Sequence, residues 1–234
     1  MKKLMFLILL ITFNLIVNFN GFANNLEDKT KKLEKYLSSI NNISFIFQQS
    51  SNDKKIIEGW MQIKKPDKIR IEYNEPNNTI IIANKNYIVL YNAKDNLRTS
   101  LENDGPWIIF TKNNPILSNN QNDINITGYV EEVKEIDMNN KKHLFYKIFI
   151  KNKNNLQLSP IIIHTTLDPF IILGWTISDN KEKKTYIKIK TIISINKNNI
   201  KDDAFSLSKQ EQDSGDVWKG PFNRPPAKRR AKHR

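Results

Sequence analysis

Three histidines, His143, His164 and His233, are the first place to look for chemistry in this chain. Imidazole titrates near neutral pH and binds transition metals, so histidines in register mark metal or acid–base sites. None of the three is near another in sequence, no HExxH occurs, and there is no cysteine. A metal site would therefore need histidines and carboxylates that converge only in the fold. His164 and Asp168 could be two members of a catalytic triad. The same spacing describes a strand histidine followed by an Asp-Pro turn, and that is the expected role. Glu131, Glu132 and Glu135 fit the wet edge of a strand better than a carboxylate pair for acid–base work. GxSxG, Walker A and GxGxxG patterns are absent. The expectation is a non-enzyme with no catalytic residue, no metal and no cofactor.

The cation that stands out is Lys65. In the stretch Gly59–Pro76, Gly59, Met61, Ile63 and Lys65 share one side of a first strand, and Ile69, Ile71 and Tyr73 one side of a second, with Arg70 and Glu72 opposite. Period-2 alternation is the pattern of strands that are wet on one side and dry on the other. Lys65, just before Pro66, breaks the apolar side. A cation aimed into an apolar space is costly unless something answers it, which makes Lys65 a candidate for function.

The elements that must position this stretch follow from the rest of the chain. Residues 1–23 read as a secretory signal peptide: Lys2 and Lys3, an apolar run from Leu4 to Val17, then Gly21-Phe22-Ala23 with cleavage after Ala23. The apolar run is about 14 residues, short of the ~20 that span a bilayer. With no cysteine, disulfides are impossible and no lipid can be attached at the cleavage site, so a soluble periplasmic protein is expected. The net charge of +13 is misleading. The signal peptide carries two basic residues and residues 217–234 carry seven and no acid, which leaves +4 for residues 24–216. The tail from 209 on holds four of the six arginines and is expected to be disordered. Lys228-Arg229-Arg230 could suggest nucleic-acid binding, which export argues against; weak attraction to an anionic membrane surface is the other reading beside a solvated tail.

Between these ends one domain, 24–208, is expected. Leu26, Leu33, Tyr36, Leu37 and Ile40 form a stripe at helical spacing, which predicts a helix over 25–40 capped by Asn24 or Asn25. Strands are predicted at Ile43–Gln49, Ile56–Lys64, Lys68–Tyr73, Thr79–Ala83, Tyr87–Tyr91, Thr127–Ile136, Leu144–Lys151, Pro160–Thr165, Ile171–Ser178 and Thr185–Ile195, with a weak one near Phe205. Short connections make neighbours antiparallel. The fold class is mainly β: a single curved antiparallel sheet of about eleven strands forming an unclosed β-barrel. The segment Gly105–Phe110 places Pro106 in the first turn of a short helix, ended by Pro115, too apolar for a surface loop. Trp60, Trp107 and Trp175 sit in apolar surroundings. They suit either a filled core or a hollow one with a greasy lid.

The order of Phe45-Ile46-Phe47-Gln48, Gly59, Lys65-Pro66, Ile69–Tyr73, Pro76, the Ala83–Tyr87 turn and Pro106–Phe110 resembles the LolA family of periplasmic lipoprotein carriers. Ile161–Pro169, Leu173-Gly174-Trp175, Asp179 and Phe205 extend the resemblance, which covers about residues 26–207. It implies a cavity for lipoprotein acyl chains, lined by Leu33, Phe45, Phe47, Met61, Ile63, Ile69, Ile71 and Tyr73. It implies a lid of Pro106, Trp107, Ile108, Ile109 and Phe110, braced by Lys65 where relatives often have arginine. An ammonium lacks the planar fork of a guanidinium, so Lys65 is expected to hold the lid less firmly. By alternation Arg70 points away from it. The implied partners are lipoproteins, an inner-membrane lipoprotein-releasing ABC transporter and a LolB-like outer-membrane acceptor, with no nucleic acid and a monomeric carrier. A lipoprotein-sensing module of the same fold in envelope-stress signalling is the alternative.

Overall fold

A computed structural model describes residues 25–52, 55–74, 76–85, 87–92, 97–102, 106–151, 160–178, 183–197 and 200–207. The expected signal peptide and basic tail lie outside the described residues, as do Asn24, Asn86 and Asp179. The fold is mainly β: an open antiparallel sheet, not closed into a barrel, with an N-terminal helix. The described strands are β1 (Asn42–Ser51), β2 (Ile56–Lys64), β3 (Lys68–Tyr73), β4 (Thr79–Ala83), β5 (Tyr87–Asn92), β6 (Leu97–Glu102), β7 (Leu117–Ser118), β8 (Gly128–Met138), β9 (Lys141–Ile150), β10 (Ile161–Thr166), β11 (Ile172–Ser178) and β12 (Lys184–Ile195). The helices are α1, residues 25–39, and α2, Ile108–Thr111.

The chain forms two compact units. The first holds α1 and Pro106–Lys184, with strand order β11-β10-β9-β8-β7. Cross-strand partners share a face, so Val130, Ile148 and Ile161 make one row and Tyr146, Ile163 and Trp175 another. Leu144, Tyr146, Ile148, Ile150, Ile161 and Ile163 are fully buried there. Helix α1 lies on this face through its apolar stripe. Leu33 and Leu37 are buried, the Tyr146 hydroxyl donates to the Lys29 carbonyl (3.2 Å), and Tyr36 meets Phe170 edge-on (5.2 Å). The β8–β9 turn is Asn139-Asn140, both at positive φ (52° and 59°), with Met138 paired to Lys141. A two-residue hairpin of this kind needs left-handed backbone, which asparagine tolerates.

The second unit holds Asn41–Gly105 and Thr185–Arg234, with order β6-β5-β4-β3-β2-β1-β12. Within neither unit do the outermost strands pair with each other. Its β2–β3 hairpin turns through Lys65-Pro66-Asp67, with Lys64 paired to Lys68 and Asp67 at φ 62°. Three-residue hairpin loops place a left-handed residue at this last position. A 3-10 turn, Asp202–Phe205, follows β12 and lies on β3–β5.

The strand count agrees with the eleven or so expected, twelve being described, although β6 and β7 were not predicted individually because polar LRTSLE and two-residue LS carry little apolar alternation. Four expectations need correction. One pair, β7–β8, is parallel, which the nine-residue excursion between them, residues 119–127, allows. Phe205 sits in a 3-10 turn rather than a strand. Pro106 precedes α2, which starts at Ile108 after the cap Trp107. The side of β3 bearing Arg70 and Glu72 is not wet: both residues are buried.

Candidate functional site

Alternation on β1, β2 and β3 assembles the predicted lining into one surface. Ile43, Ile63 and Ile69 form a first row, Phe45, Met61 and Ile71 a second, and Phe47, Gly59 and Tyr73 a third. Ala83 and Ile88 extend the first row onto β4 and β5. Phe45, Phe47, Met61, Ile63, Ile69 and Ile71 all keep less than a tenth of their surface. Seven predicted lining residues thus come together on three adjacent strands.

Gly59 is what lets the third row close. A Cβ there would lie 2.5 Å from the Glu72 carbonyl oxygen and 2.6 Å from the Phe47 ring. Without it, the Phe47 ring drops over the strand and meets Tyr73 edge-on at 5.6 Å. The Tyr73 hydroxyl donates to Gln49 Oε1 at 2.8 Å, and burial pushes its pKa up to about 12.

Lys65 stands at the tip of the β2–β3 hairpin, at the end of the Met61–Ile63 side. Its backbone N–H donates to the Asn41 carbonyl (2.8 Å) and its side chain is buried, with 8% of its surface left. Loss of hydration lowers the ammonium pKa to about 8.

The opposite side of the same strands carries a feature the sequence did not reveal. Arg70 Nε donates to Glu72 Oε1, and both side chains are buried. Arg70 Nη1 also donates to the Ser206 carbonyl at 3.0 Å and to the Ala204 carbonyl at 3.3 Å. Phe205 packs with Ile80, Ile82 and Tyr91. Lys64 and Lys68 hold Asp202 at 2.7 and 2.6 Å, which brings that carboxyl down to about 2. Residues 200–207 therefore form a strap over β3–β5. A cation and an anion two residues apart, alternating with Ile69, Ile71 and Tyr73, were its one local signal.

Leu33 and the predicted lid residues belong to the first unit. Leu33 is fully buried in α1. Ile109 and Phe110 are buried in α2, whereas Pro106, Trp107 and Ile108 are half-buried. Phe110 packs against Trp175 with ring centroids 4.7 Å apart, so the short helix rests on the face that also carries Tyr146 and Ile163.

The fold does bring two histidines together. His143 Nδ1 lies 2.9 Å from His164 Nε2, and Phe145 stacks on His164 at 4.3 Å. Burial, then the neighbouring His143, lowers the His164 pKa. Asp168 is exposed in the turn before Pro169, and the hydrogen bond of His164 goes to His143. Among the described residues no group of three or more His, Asp or Glu side chains could hold a metal ion. Glu131, Glu132 and Glu135 are exposed and paired with Lys147, Lys134 and Lys142.

Comparison with known proteins places the chain in a family. The profile of the family described as outer membrane lipoprotein carrier protein LolA matches residues 38–208. A curated relative, uncharacterized protein RP864 of Rickettsia prowazekii (strain Madrid E), is 30% identical over 91 residues. That match spans 39% of this chain and 41% of the relative, well under half its length. Among solved structures, the LolA superfamily protein NE2245 from Nitrosomonas europaea aligns over 76% of this chain and 97% of its own, with TM-score 0.40 and 6% identity. The Pseudomonas aeruginosa MucA/MucB complex aligns over 77% and 61%, with TM-score 0.41 and 7% identity. The family profile covers well over half of the chain, through both the apolar rows of β1–β3 and the α2 segment, and the protein belongs to the LolA family of outer membrane lipoprotein carrier proteins.

Proposed function

We propose that the protein is a periplasmic carrier of lipoproteins. It is exported by cleavage after Ala23, takes acyl chains from an inner-membrane lipoprotein-releasing ABC transporter, and delivers them to a LolB-like outer-membrane acceptor. The observation that carries this reading is the set of three apolar rows on β1–β3 in a chain of this family. Three acyl chains of roughly 16 carbons would cost on the order of 40 kcal/mol to expose to water, at about 0.8 kcal/mol per CH₂. Unassisted crossing of an aqueous space is therefore closed to a lipoprotein. Branched aliphatic and aromatic walls hold such chains without demanding one geometry, which suits a carrier that must also let go.

In this reading Phe45, Phe47, Met61, Ile63, Ile69, Ile71, Tyr73 and Leu33 line the acyl-chain site. Pro106–Phe110 covers it, and Lys65 braces that cover as a point charge. The direct test is incubation of the processed protein with spheroplasts: lipoproteins should appear in solution in complex with it, and their retention in the membrane would refute the carrier role. Ile69→Glu should abolish acyl-chain uptake, because it sets a carboxylate in the middle of the apolar rows. Displacement of a fluorescent fatty acid measures this, and normal uptake would show that the chains lie elsewhere.

A further inference from the structure

Strand β12 carries Lys184, Lys188 and Lys190 and no acid. From 184 to 188 its exposed positions alternate, so Tyr186 shares the side of Lys188, and exposed Lys190 follows at the β-bulge between Ile189 and Thr191. Tyr186 pairs with Ser50, which pairs with Ile56 across β1, so Ile56 and Tyr186 stand in one row. Ile56 is 63% exposed and Tyr186 44%. With Ser50, Ser51 and Asn52 they line an open depression of about 460 Å³. In the next row Lys188 pairs with Gln48, and Gln48 donates to Glu58 at 2.7 Å. Neither Lys188 nor Lys190 is in an ion pair among the described residues. Other strand lysines differ: exposed Lys134 and Lys142 and half-buried Lys147 each meet a glutamate, at 3.3, 2.6 and 2.5 Å.

Register places this patch on the same side of the second unit as Arg70 and the 200–207 strap. From that strap the chain continues into the segment with seven basic residues, which also contains Trp218 and Phe222. Uncompensated lysines beside a half-exposed tyrosine and a protruding isoleucine match the surface of an anionic bilayer. The lysines meet phosphate headgroups, the tyrosine sits at headgroup level, and the isoleucine enters the acyl boundary.

We propose that Ile56, Tyr186, Lys188 and Lys190 form a docking face for anionic phospholipid membrane. Each lysine near such a surface raises affinity about fivefold, and with one shallow apolar contact the binding is reversible. The test is co-sedimentation of the processed chain with vesicles of phosphatidylcholine containing about 30% phosphatidylglycerol, against phosphatidylcholine alone. Binding should need the anionic lipid and weaken when salt is raised to about 0.5 M. Lys188→Glu with Lys190→Glu should reduce it at least about tenfold, and Tyr186→Ser about threefold. Lys188→Gln with Lys190→Gln guards against misfolding and should give a smaller loss. A full-length variant with the seven basic residues of 217–234 replaced by glutamine separates the tail. Residual binding that still depends on Lys188 and Lys190 supports the proposal. Binding that ignores both lysines, or equal binding to phosphatidylcholine alone, overturns it. So does full competition by polyphosphate together with indifference to Tyr186→Ser, which would mark a general anion site.

Discussion

The two sides of β1–β5 are built by opposite means. One is apolar throughout, from Phe47 and Tyr73 to Ile63 and Ile69, and meets a cation only at its end, where Lys65 closes the hairpin. The other carries a full ion pair, Arg70–Glu72, beneath a strap that supplies carbonyl acceptors for the guanidinium and Phe205 for the isoleucines. An apolar side needs only to be covered. A side that contains a buried charge needs partners at defined places, because an unpaired charge there costs several kcal/mol. The first side demands no partner at a defined place; the second is fitted to one particular segment, residues 200–207. This contrast is what a carrier would need: a permissive surface for cargo and a rigid back to hold its shape.

The contrast can be broken most severely at Arg70. Arg70→Leu should destabilise the protein by about 3–5 kcal/mol, since Glu72 stays buried without its partner and the Ser206 carbonyl loses its donor. Adding Glu72→Leu should recover most of that loss. Urea denaturation of the two variants measures the difference, and an unaffected single variant would mean that the pair is not buried in solution.

Gly59→Ala probes the tightness of the apolar side. The added methyl meets the Glu72 carbonyl at 2.5 Å and the Phe47 ring at 2.6 Å, and one of these contacts is with backbone. A loss of about 1–3 kcal/mol by the same measurement is expected. The Phe47–Tyr73 contact should loosen with it, which tyrosine fluorescence can follow.

Lys65 gives the smallest effect on stability and the most informative one. Its folded-state pKa is about 8 against 10.5 for the free side chain. Between these values the unfolded chain binds a proton that the folded chain does not, so stability should rise with pH from 8 to 10.5 and stay flat below. Lys65→Met should remove that rise and leave stability at pH 7 unchanged or slightly higher. Lys65→Leu should still impair transfer to the acceptor, if the ammonium braces the cover of the acyl site. Unchanged transfer would count against that role.

Much of the local structure was legible. Strands β2, β3 and β4 have the limits that their alternation and turn residues predict, and α1 covers 25–39 of the expected 25–40. The apolar residues of β1–β3 fall on one side because period 2 assigns residues to sides, and the pairing of β1–β3 simply aligned those sides. What failed had weak or remote signals. LRTSLE alternates too little to show as β6, and the apolar residues around Phe205, namely Ile200, Ala204 and Leu207, follow no strand or helix period that would mark a 3-10 turn.

The sequence by itself determined which residues share a side, where the hairpins turn, and that a lysine ends an apolar run. Those properties depend on neighbours a few positions apart, on backbone geometry and on the transfer of side chains from water. Only the tertiary structure decided what covers each side. The polar side of β3 became interior because Ala204, 134 positions after Arg70, brought its carbonyl to the guanidinium. His143 and His164 became a pair because β9 and β10 are adjacent. Alternation reports which way a side chain points, and what it meets there is chosen by contacts distant in the chain.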